Sequence, residues 1–379
     1  MRQLYLSLLR SGITGAPIHL PDPLPDKEAQ GALYRLAYSH DMAHFVGAEL
    51  EKAGFSMEEK VKTAFTNVRI KALYRYTRLW HGFDQILALF ERHALPSVPL
   101  KGAVLRHLYP TPEMRTSSDI DLLVPEERLE EAVSLLTGEL GFTEKGRTYH
   151  DVHLVMGDAV NLELHYNITE DDPILDPLLE EAWQHASPKA GGAEHVFDDA
   201  YFAFHIVAHA CSHFLRGGCG TKVIMDMYLL SQSPTFDADA VRALCHKCGI
   251  DRFFDALLLL SRVWFGDAEH TETTLGMEDL ILGGGAFGSI SNRTAIGTAK
   301  RNRLRYALDR IFIPRRRLAR LYPSLLKYPF LLPLFHIRRW FRVIFRGRGK
   351  NAVGELTSTA TMPKEKRKAL AHLLSDLGL

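Results

Sequence analysis

The stretch RTSSDIDLLVP places Asp119 and Asp121 one residue apart inside a run of aliphatic residues. Successive side chains of a strand point to opposite faces, so the two carboxylates share one face. Ile120, Leu122 and Val124 share the other face, and the strand is predicted to be buried on that side only. Two fixed carboxylates repel each other unless a hard divalent cation such as Mg²⁺ binds between them. The pattern therefore predicts the first half of a two-metal site for phosphoryl transfer.

A third carboxylate, Glu163, lies in the alternating run NLELHY. The aliphatic residues of this run predict a buried face made of Val160, Leu162 and Leu164. Glu163 and His165 then lie on the opposite face, and Glu163 reaches the aspartate pair if the two strands are neighbours. The alternative is an exposed glutamate on a solvated hairpin.

A phosphate-binding turn is predicted at Lys101 and Gly102, where a short strand meets a helix. Glycine allows close approach of a backbone, the helix start offers free N–H groups, and the lysine adds positive charge. Ser117 and Ser118, just before the aspartates, are candidate hydroxyl donors. Arg115 is a candidate clamp for a triphosphate through paired hydrogen bonds. Lys-Gly before a helix is common, so this prediction depends on its place beside the acids.

Together these residues resemble the nucleotidyltransferase superfamily, whose fold is shared with DNA polymerase beta. Its pattern is a glycine-containing turn and helix, then D-x-D on a strand, then a third acid on a later strand. The closer likeness is to a bacterial branch described as uncharacterised nucleotidyltransferases. That branch has LKG before a helix, an arginine shortly before DIDLLV, and E-L-H, which is Glu163 to His165 here.

The likeness extends over most of the chain, although its later motifs are looser. It includes H-x-x-x-H at His209 and His213, an aspartate at Asp226, and the segments Tyr328-Pro329 and Leu332-Pro333. Two features depart from the superfamily pattern. No serine follows Gly102, and the interval from Gly102 to the D-x-D is longer than usual. Phosphate binding is therefore expected to differ from that of well-studied members of the superfamily.

The resemblance implies that a nucleophile attacks the α-phosphorus of a nucleoside triphosphate and that pyrophosphate leaves. Asp119, Asp121 and Glu163 would be the catalytic and metal-binding residues for Mg²⁺ or Mn²⁺, and Glu163 would help to deprotonate the acceptor. The acceptor, whether a small molecule, a sugar or a protein hydroxyl, stays open. The alternative is a catalytically inactive scaffold or regulatory binding module with this fold. Retention of all three carboxylates favours the enzyme.

The elements that must position these residues predict an α+β fold, a small mixed-sheet core flanked by N-terminal and C-terminal helical regions. The predicted regions are helices over 1–94, the nucleotidyltransferase core over 95–200, helices over 201–282, and a loop followed by a basic, aromatic-rich helical region over 283–379. Within the core we expect a strand before Lys101, an amphipathic helix ending at Gly141, and a hairpin turning at Gly157-Asp158. The run GGGAFGSISNRTA, from Gly283, predicts a loop.

Three histidines, His205, His209 and His213, form one stripe of a predicted helix. A zinc site, packing of the helix against the core, and entry of His209 or His213 into the active cleft are the three interpretations. A helix presents only two of these residues well to one ion, and no nearby cysteine completes a site, so zinc is disfavoured.

Two other motifs are interpreted as structural. Cys245 and Cys248 form a single C-x-x-C inside a helical pattern, which favours helix packing over a redox or metal role. A second D-x-D, at Asp237 and Asp239, directly precedes a helix and predicts an N-cap.

The net charge of +1 conceals an asymmetry. The segment from Lys300 to Lys350 has 16 basic residues and one acid, Asp309, which leaves 30 basic and 44 acidic residues elsewhere. Arginines alternate there with Tyr, Phe, Trp and Leu, and three interpretations stay open: packing on the acidic body, contact with an anionic membrane surface, and, less favoured, nucleic-acid binding.

Composition excludes several classes of protein. Four cysteines argue against a disulfide framework, and no window has the roughly 18 uninterrupted apolar residues of a membrane span. The N-terminal apolar run is too short for an export signal. We therefore expect a cytoplasmic protein, peripheral to the inner membrane face if the basic segment contacts lipid.

Overall fold

The computed structural model describes residues 1–18, 20–21, 25–158, 160–286, 288–300, 308, 311–313, 315, 318, 322, 324–345 and 363–379. Within these ranges the α-helices are α1 (Arg2–Thr14), α2 (Lys27–Ser39), α3 (Ala43–Lys52), α4 (Glu59–Arg92), α5 (Gly102–Leu105), α6 (Leu129–Glu139), α7 (Asp176–Leu179), α8 (Asp199–Leu215), α9 (Thr221–Ser231), α10 (Ala238–Lys247), α11 (Asp251–Phe265), α12 (Glu272–Leu282), α13 (Ile290–Lys300), α14 (Ser324–Lys327), α15 (Leu332–Phe345) and α16 (Lys364–Asp376). The strands are β1 (Val98–Pro99), β2 (Ile120–Leu123), β3 (Thr143–Arg147), β4 (Asp151–Met156), β5 (Val160–His165), β6 (Ala186–Pro188) and β7 (His195–Phe197).

The central element is a five-stranded mixed sheet in the order β1-β2-β5-β4-β3. Strands β2 and β5 are parallel, and the other neighbouring pairs are antiparallel. The antiparallel β4–β5 pair confirms the hairpin predicted around Gly157. With helices before and after the sheet, the predicted α+β class is confirmed.

Strand β2 is covered on both sides, which differs from the prediction. Ile120 and Leu122 pack into a core formed with α4, α6, β4 and β5. Leu123, on the face that carries Asp121, is also fully buried, but in the larger helical core. The acidic face is therefore open only near its start, and Asp119 and Asp121 lie at the edge of the larger core.

That larger core joins residues from all four predicted regions, including Leu8, Leu100, Phe204 and Leu374. Helices from both ends of the chain and the first strand contribute to one continuous apolar cluster. The division of the chain at 94, 200 and 282 stays a prediction.

The loop predicted from Gly283 is shorter than the sequence indicated, because α13 begins at Ile290. The Ser289 hydroxyl accepts the Asn292 N–H and so caps this helix. Ala295 and Ile296 are buried in the larger core. The polar and β-branched residues of this segment have low helix propensity, and tertiary packing outweighs it.

The C-terminal region is described in part. Residues 301–307, 309–310, 314, 316–317, 319–321, 323 and 346–362, which carry much of the predicted basic region, lie outside the described residues. Among the helices that the structure describes, none is long and apolar enough to cross a membrane.

Candidate active site

The parallel pairing of β2 and β5 brings the predicted carboxylates together. Asp121 is the register partner of Glu163, which confirms that the third acid is on the neighbouring strand. Asp119 lies just before β2 begins at Ile120. Because paired residues of neighbouring strands point to the same face, Asp121 and Glu163 are held side by side.

Lys101 and His165 both contact Asp121. The Lys101 ammonium donates to Asp121 Oδ1 at 2.9 Å, and His165 Nε2 is 3.1 Å from the same oxygen. Burial alone would raise the pKa of Asp121, but the charges and hydrogen bonds of Lys101 and His165 outweigh it and hold that pKa well below its usual range. Asp121 is therefore a fixed anion, and the ammonium partly neutralises it.

The other two carboxylates have the opposite shift. Burial, and then the charge of Asp121, raises the pKa of Asp119. Burial and the charges of Asp121 and Asp119 raise the pKa of Glu163 to about 7. The three acids therefore repel one another, and one lysine does not cancel that repulsion.

At the start of α5, Gly102 lies directly against Ser117. A Cβ on Gly102 would lie 2.3 Å from Ser117 Oγ, so the Ser117 hydroxyl occupies the space that a side chain would fill. Ser117 thus supplies a hydroxyl beside Gly102, where the next residue in the chain supplies none. Lys101, which precedes Gly102, has φ 43°, a left-handed conformation that costs a non-glycine residue free energy.

Arg115 forms a paired hydrogen bond with the Asp226 carboxylate. Its Nε and Nη2 donate to the two Asp226 oxygens at 2.8 and 2.9 Å, and the Tyr109 hydroxyl donates to the same group at 2.7 Å. The third guanidinium nitrogen, Nη1, donates to the Thr116 carbonyl. Arg115 lies in the wall of the cleft, and its role as a triphosphate clamp stays a prediction.

A third ion pair in the cleft, between Lys222 and Asp41, was not predicted from the sequence. Lys222 Nζ donates to Asp41 Oδ2 at 2.7 Å and to the Thr116 carbonyl at 3.2 Å. Arg75 approaches the same carboxylate at 3.5 Å. Burial opposes ionisation of Asp41, but attraction to Lys222 lowers the pKa of Asp41 to about 2. No motif marks these residues, because Asp41 lies in the turn between α2 and α3, Arg75 in α4 and Lys222 in α9.

These residues line one cleft of about 1050 Å³. It contains all three acids, Lys101, Gly102, Arg115, Ser117, Ser118, Asp41, Arg75 and Lys222. His209 and His213 also line it, as one interpretation of the histidine stripe predicted. His165 and His205 instead line an adjoining cavity of about 190 Å³, which shares Lys101 and Glu163 with the cleft.

His209 is oriented by a carboxylate that the sequence did not indicate. Its Nδ1 is 2.7 Å from Glu170 Oε1. Burial, followed by the nearby Lys101 charge, lowers the pKa of His209, so the ring is neutral near pH 7 and Nδ1 carries the donated hydrogen. Its Nε2 is then the nitrogen with a lone pair.

The donor set suits a divalent cation. One ligand atom each from Asp121, Glu163 and His165 lies within 4.8 Å of the others. Asp119 belongs to neither of the close groups found among the described residues, and Ser118 Oγ donates to it at 3.1 Å. The carboxylate oxygens repel one another, and a bound Mg²⁺ or Mn²⁺ would relieve that repulsion.

Asp119 and Asp121 at one strand, Glu163 on the neighbouring strand, and Gly102 with the Ser117 hydroxyl beside it therefore lie together in one cleft. Residues 26–266 match a family described as uncharacterised nucleotidyltransferase. The match covers more than half of the chain, and the protein belongs to this family. Membership assigns nucleotidyl transfer as the general activity and implies a nucleoside triphosphate as substrate. Comparisons with curated proteins and with solved structures returned no match.

Proposed function

We propose that the protein transfers a nucleoside monophosphate from a nucleoside triphosphate to an acceptor nucleophile and releases pyrophosphate, as the likeness to the DNA polymerase beta superfamily implies. The observation that carries this proposal is the convergence of Asp119, Asp121 and Glu163 on a cleft large enough for a nucleotide and a second molecule.

Asp119, Asp121 and Glu163 would hold Mg²⁺ or Mn²⁺. The bound cation would neutralise the triphosphate and lower the pKa of the attacking group. Glu163, beside Asp121 on the neighbouring strand, would also help to take the acceptor proton. Lys101 supplies an ammonium for the phosphates, and Ser117, Ser118 and the backbone at Gly102 supply donors.

Binding is the first test of this function. We expect at least one nucleoside triphosphate with Mg²⁺ to raise the melting temperature, because a ligand at 100 times its Kd adds about 2.7 kcal/mol to the free energy of unfolding. Gly102→Ala should weaken that response, since the new methyl group displaces the Ser117 hydroxyl. Gly138→Ala is the matched control, because a Cβ there meets nothing within 4 Å.

Transfer is tested separately, with nucleoside triphosphates labelled at the α-phosphate and a cell lysate as source of acceptors. Label on lipid, sugar, protein or small molecules would identify the acceptor class. Nucleotide binding without any transfer would favour the regulatory module, and absence of any response to all four nucleotides would contradict the proposal.

We further propose that α15 and the turn before it contact an anionic membrane surface. Phe330, Leu334 and Ile337, spaced i, i+4 and i+7, are 75 %, 58 % and 45 % exposed. Arg338 and Arg342 are exposed beside this row. Apolar side chains in the interface with arginines at the headgroups are typical of helices that lie on a membrane.

The opposite side of this segment supports the same proposal. Phe335 and Tyr322 stack at 4.7 Å and, with Leu318 and Leu325, form a small cluster separate from the two large cores. The segment therefore covers part of its apolar surface by itself and leaves the row at Phe330 exposed. The proposed location is the cytoplasm, at the inner membrane face, and the four buried free cysteines are compatible with a reducing compartment.

A further inference from the structure

The lysines, arginines and acids that line the cleft do not all cancel one another. Three ion pairs have closest N···O distances of 2.9, 2.8 and 2.7 Å: Lys101–Asp121, Arg115–Asp226 and Lys222–Asp41. Asp119 and Glu163 are the acids outside these pairs, and both are proposed metal ligands. Lys71 and Arg75 are the cations outside them. Lys71 has no ion pair within the part of the chain that the structure describes, and Arg75 reaches a carboxylate that Lys222 already holds.

Helices α2 and α4 form one arm of the cleft. Tyr34 of α2 packs edge-on against Phe65 of α4, with ring centroids 5.0 Å apart. Further along the chain, Asp41, just after α2, pairs with Arg75 of α4 at 3.5 Å. The two helices therefore run side by side in the same direction, and residues between these two contacts lie at similar levels of the arm.

Between these contacts the arm carries an aromatic surface and an ammonium group. Tyr38 of α2 is 61 % exposed and stacks on Tyr34, with ring centroids 5.7 Å apart and planes inclined by 29°. Lys71, one turn before Arg75 on α4, is also exposed, and all four residues line the cleft. A tyrosine face binds planar rings, and neighbouring Lys and Arg side chains bind phosphate.

The donor nucleotide accounts for only one of these two features at a time. Its ring and its terminal phosphate lie at opposite ends of the molecule, with the α-phosphate between them at the metal site. A donor whose ring stacked on Tyr38 would leave Lys71 and Arg75 without an anion. A donor whose terminal phosphate reached Arg75 would leave the tyrosines without a ring. A second molecule that carries both groups uses the whole arm.

The arm opens close to the proposed metal ligands. The Thr116 hydroxyl donates to Asp41 Oδ2 at 2.9 Å, so Thr116 lies at the base of the arm. Asp119 follows three residues later, and three residues of chain span at most about 11 Å. A small molecule in the arm can therefore present a hydroxyl to a nucleotide bound at the acids.

We propose that the α2–α4 arm binds the acceptor, and that the acceptor is a small molecule with a planar ring and a phosphate group. This inference rests on the proposed function. The ring lies against Tyr38, and Lys71 and Arg75 donate to the phosphate. An acceptor hydroxyl then gives its proton to Glu163, its oxygen bonds to the α-phosphorus, and the bond to pyrophosphate breaks.

Binding of an aromatic phosphate tests the arm without any transfer. The full chain is titrated calorimetrically with 4-nitrophenyl phosphate in metal-free buffer, where the three acids repel phosphate. We expect one probe per chain, displaced by excess inorganic phosphate. Tyr38→Ala should weaken binding at least about fivefold, the lower limit for one aromatic stack. Lys71→Ala should weaken it at least about tenfold, the lower limit for a hydrogen bond to a charged group.

Tyr74→Ala and Lys62→Ala are the matched controls. Both residues are exposed on α4 and are not among those that line the cleft, so probe binding should be unchanged. Circular dichroism checks that each variant is folded. Absence of saturable probe binding to the wild type, or undiminished binding in folded Tyr38→Ala or Lys71→Ala, would overturn the proposal.

Nucleoside triphosphate binding with Mg²⁺ separates the acceptor from the donor. Tyr38→Ala and Lys71→Ala should leave the Kd of the triphosphate unchanged. Loss of triphosphate affinity in both variants would assign the arm to the donor and overturn the acceptor role. A chain that binds the probe but no triphosphate would contradict the proposed function and, with it, the acceptor role. A chain that binds the triphosphate but not the probe would overturn this inference alone.

Discussion

At the scale of single residues, the stability of the site depends on which of the three carboxylates is paired with Lys101. Asp121 has an ammonium partner at 2.9 Å, whereas the hydrogen-bond partner of Asp119 among the residues that the structure describes is the Ser118 hydroxyl. Substituting one aspartate therefore removes an ion pair, while substituting the other removes repulsion. The two aspartates share a motif but have different roles in the fold.

Asparagine at the two positions should have opposite effects in metal-free buffer. Asp119→Asn should leave the melting temperature level or raise it, because a neutral amide relieves like-charge repulsion. Asp121→Asn should lower the free energy of unfolding by about 1.5–3 kcal/mol, the range for a hydrogen bond to a charged group. Both should lose the stabilisation given by Mg²⁺ with nucleotide. Equal melting temperatures for the two variants without metal would contradict this assignment.

The raised pKa of Glu163 makes stability depend on pH. The group has an ordinary pKa of 4.5 and a folded-state pKa of about 7, so the folded protein binds the extra proton between these values. Without metal, stability should fall as pH rises from about 5 to 7, because the unfolded chain releases its proton first. Glu163→Gln should flatten that slope in thermal melts, and saturating Mg²⁺ should flatten it for the wild type. A slope that survives Glu163→Gln would have another source.

At the scale of elements, Arg115 ties the segment before β2 to α9. Its guanidinium forms a paired hydrogen bond with Asp226, and its side chain is 13 % exposed. Truncating one partner of a buried pair leaves the other charge uncompensated. The geometry makes Arg115 part of the support of the site, whatever it contributes to phosphate binding.

Arg115→Ala should therefore lower the free energy of unfolding by about 3–5 kcal/mol. Arg147, which pairs with Glu130 and Glu144 on the surface and is 40 % exposed, is the matched control. Arg147→Ala should cost no more than about 1 kcal/mol, because exposed ion pairs contribute little. Denaturant unfolding measures both. Similar losses in the two variants would show that burial does not determine the contribution of these arginines.

The strands are the elements that could be predicted from the sequence. The alternation of apolar and polar residues in DIDLLV and NLELHY shows which side chains share a strand face, and it correctly predicted that Asp121 lies beside Glu163. It does not reveal what covers a face, so the burial of Leu123 was missed. Asp41 and Lys222 are 181 residues apart and meet only through tertiary packing of helices, which no local pattern encodes.

At the scale of the whole molecule, charge is divided between an acidic body and a basic late segment. The body would be repelled by an anionic bilayer, so attraction must come from the basic segment. The exposed row at Phe330, Leu334 and Ile337 adds an apolar contribution that charge alone does not provide. The two contributions respond differently to salt, which separates membrane contact from nucleic-acid binding.

Vesicle sedimentation tests the membrane proposal. Binding should increase with the fraction of anionic lipid and weaken with salt, because exposed charges are screened. Replacing Phe330, Leu334 and Ile337 with Ser should lower the partition coefficient by at least about tenfold, since one fully buried Leu or Phe contributes about 1.5–3 kcal/mol. Ile70→Ser with Leu73→Ser, at exposed apolar residues of α4, is the matched control and should change nothing. Full recovery of the wild type in the supernatant would contradict membrane contact, and salt-sensitive binding to single-stranded nucleic acid that survives the triple substitution would point to nucleic acid instead.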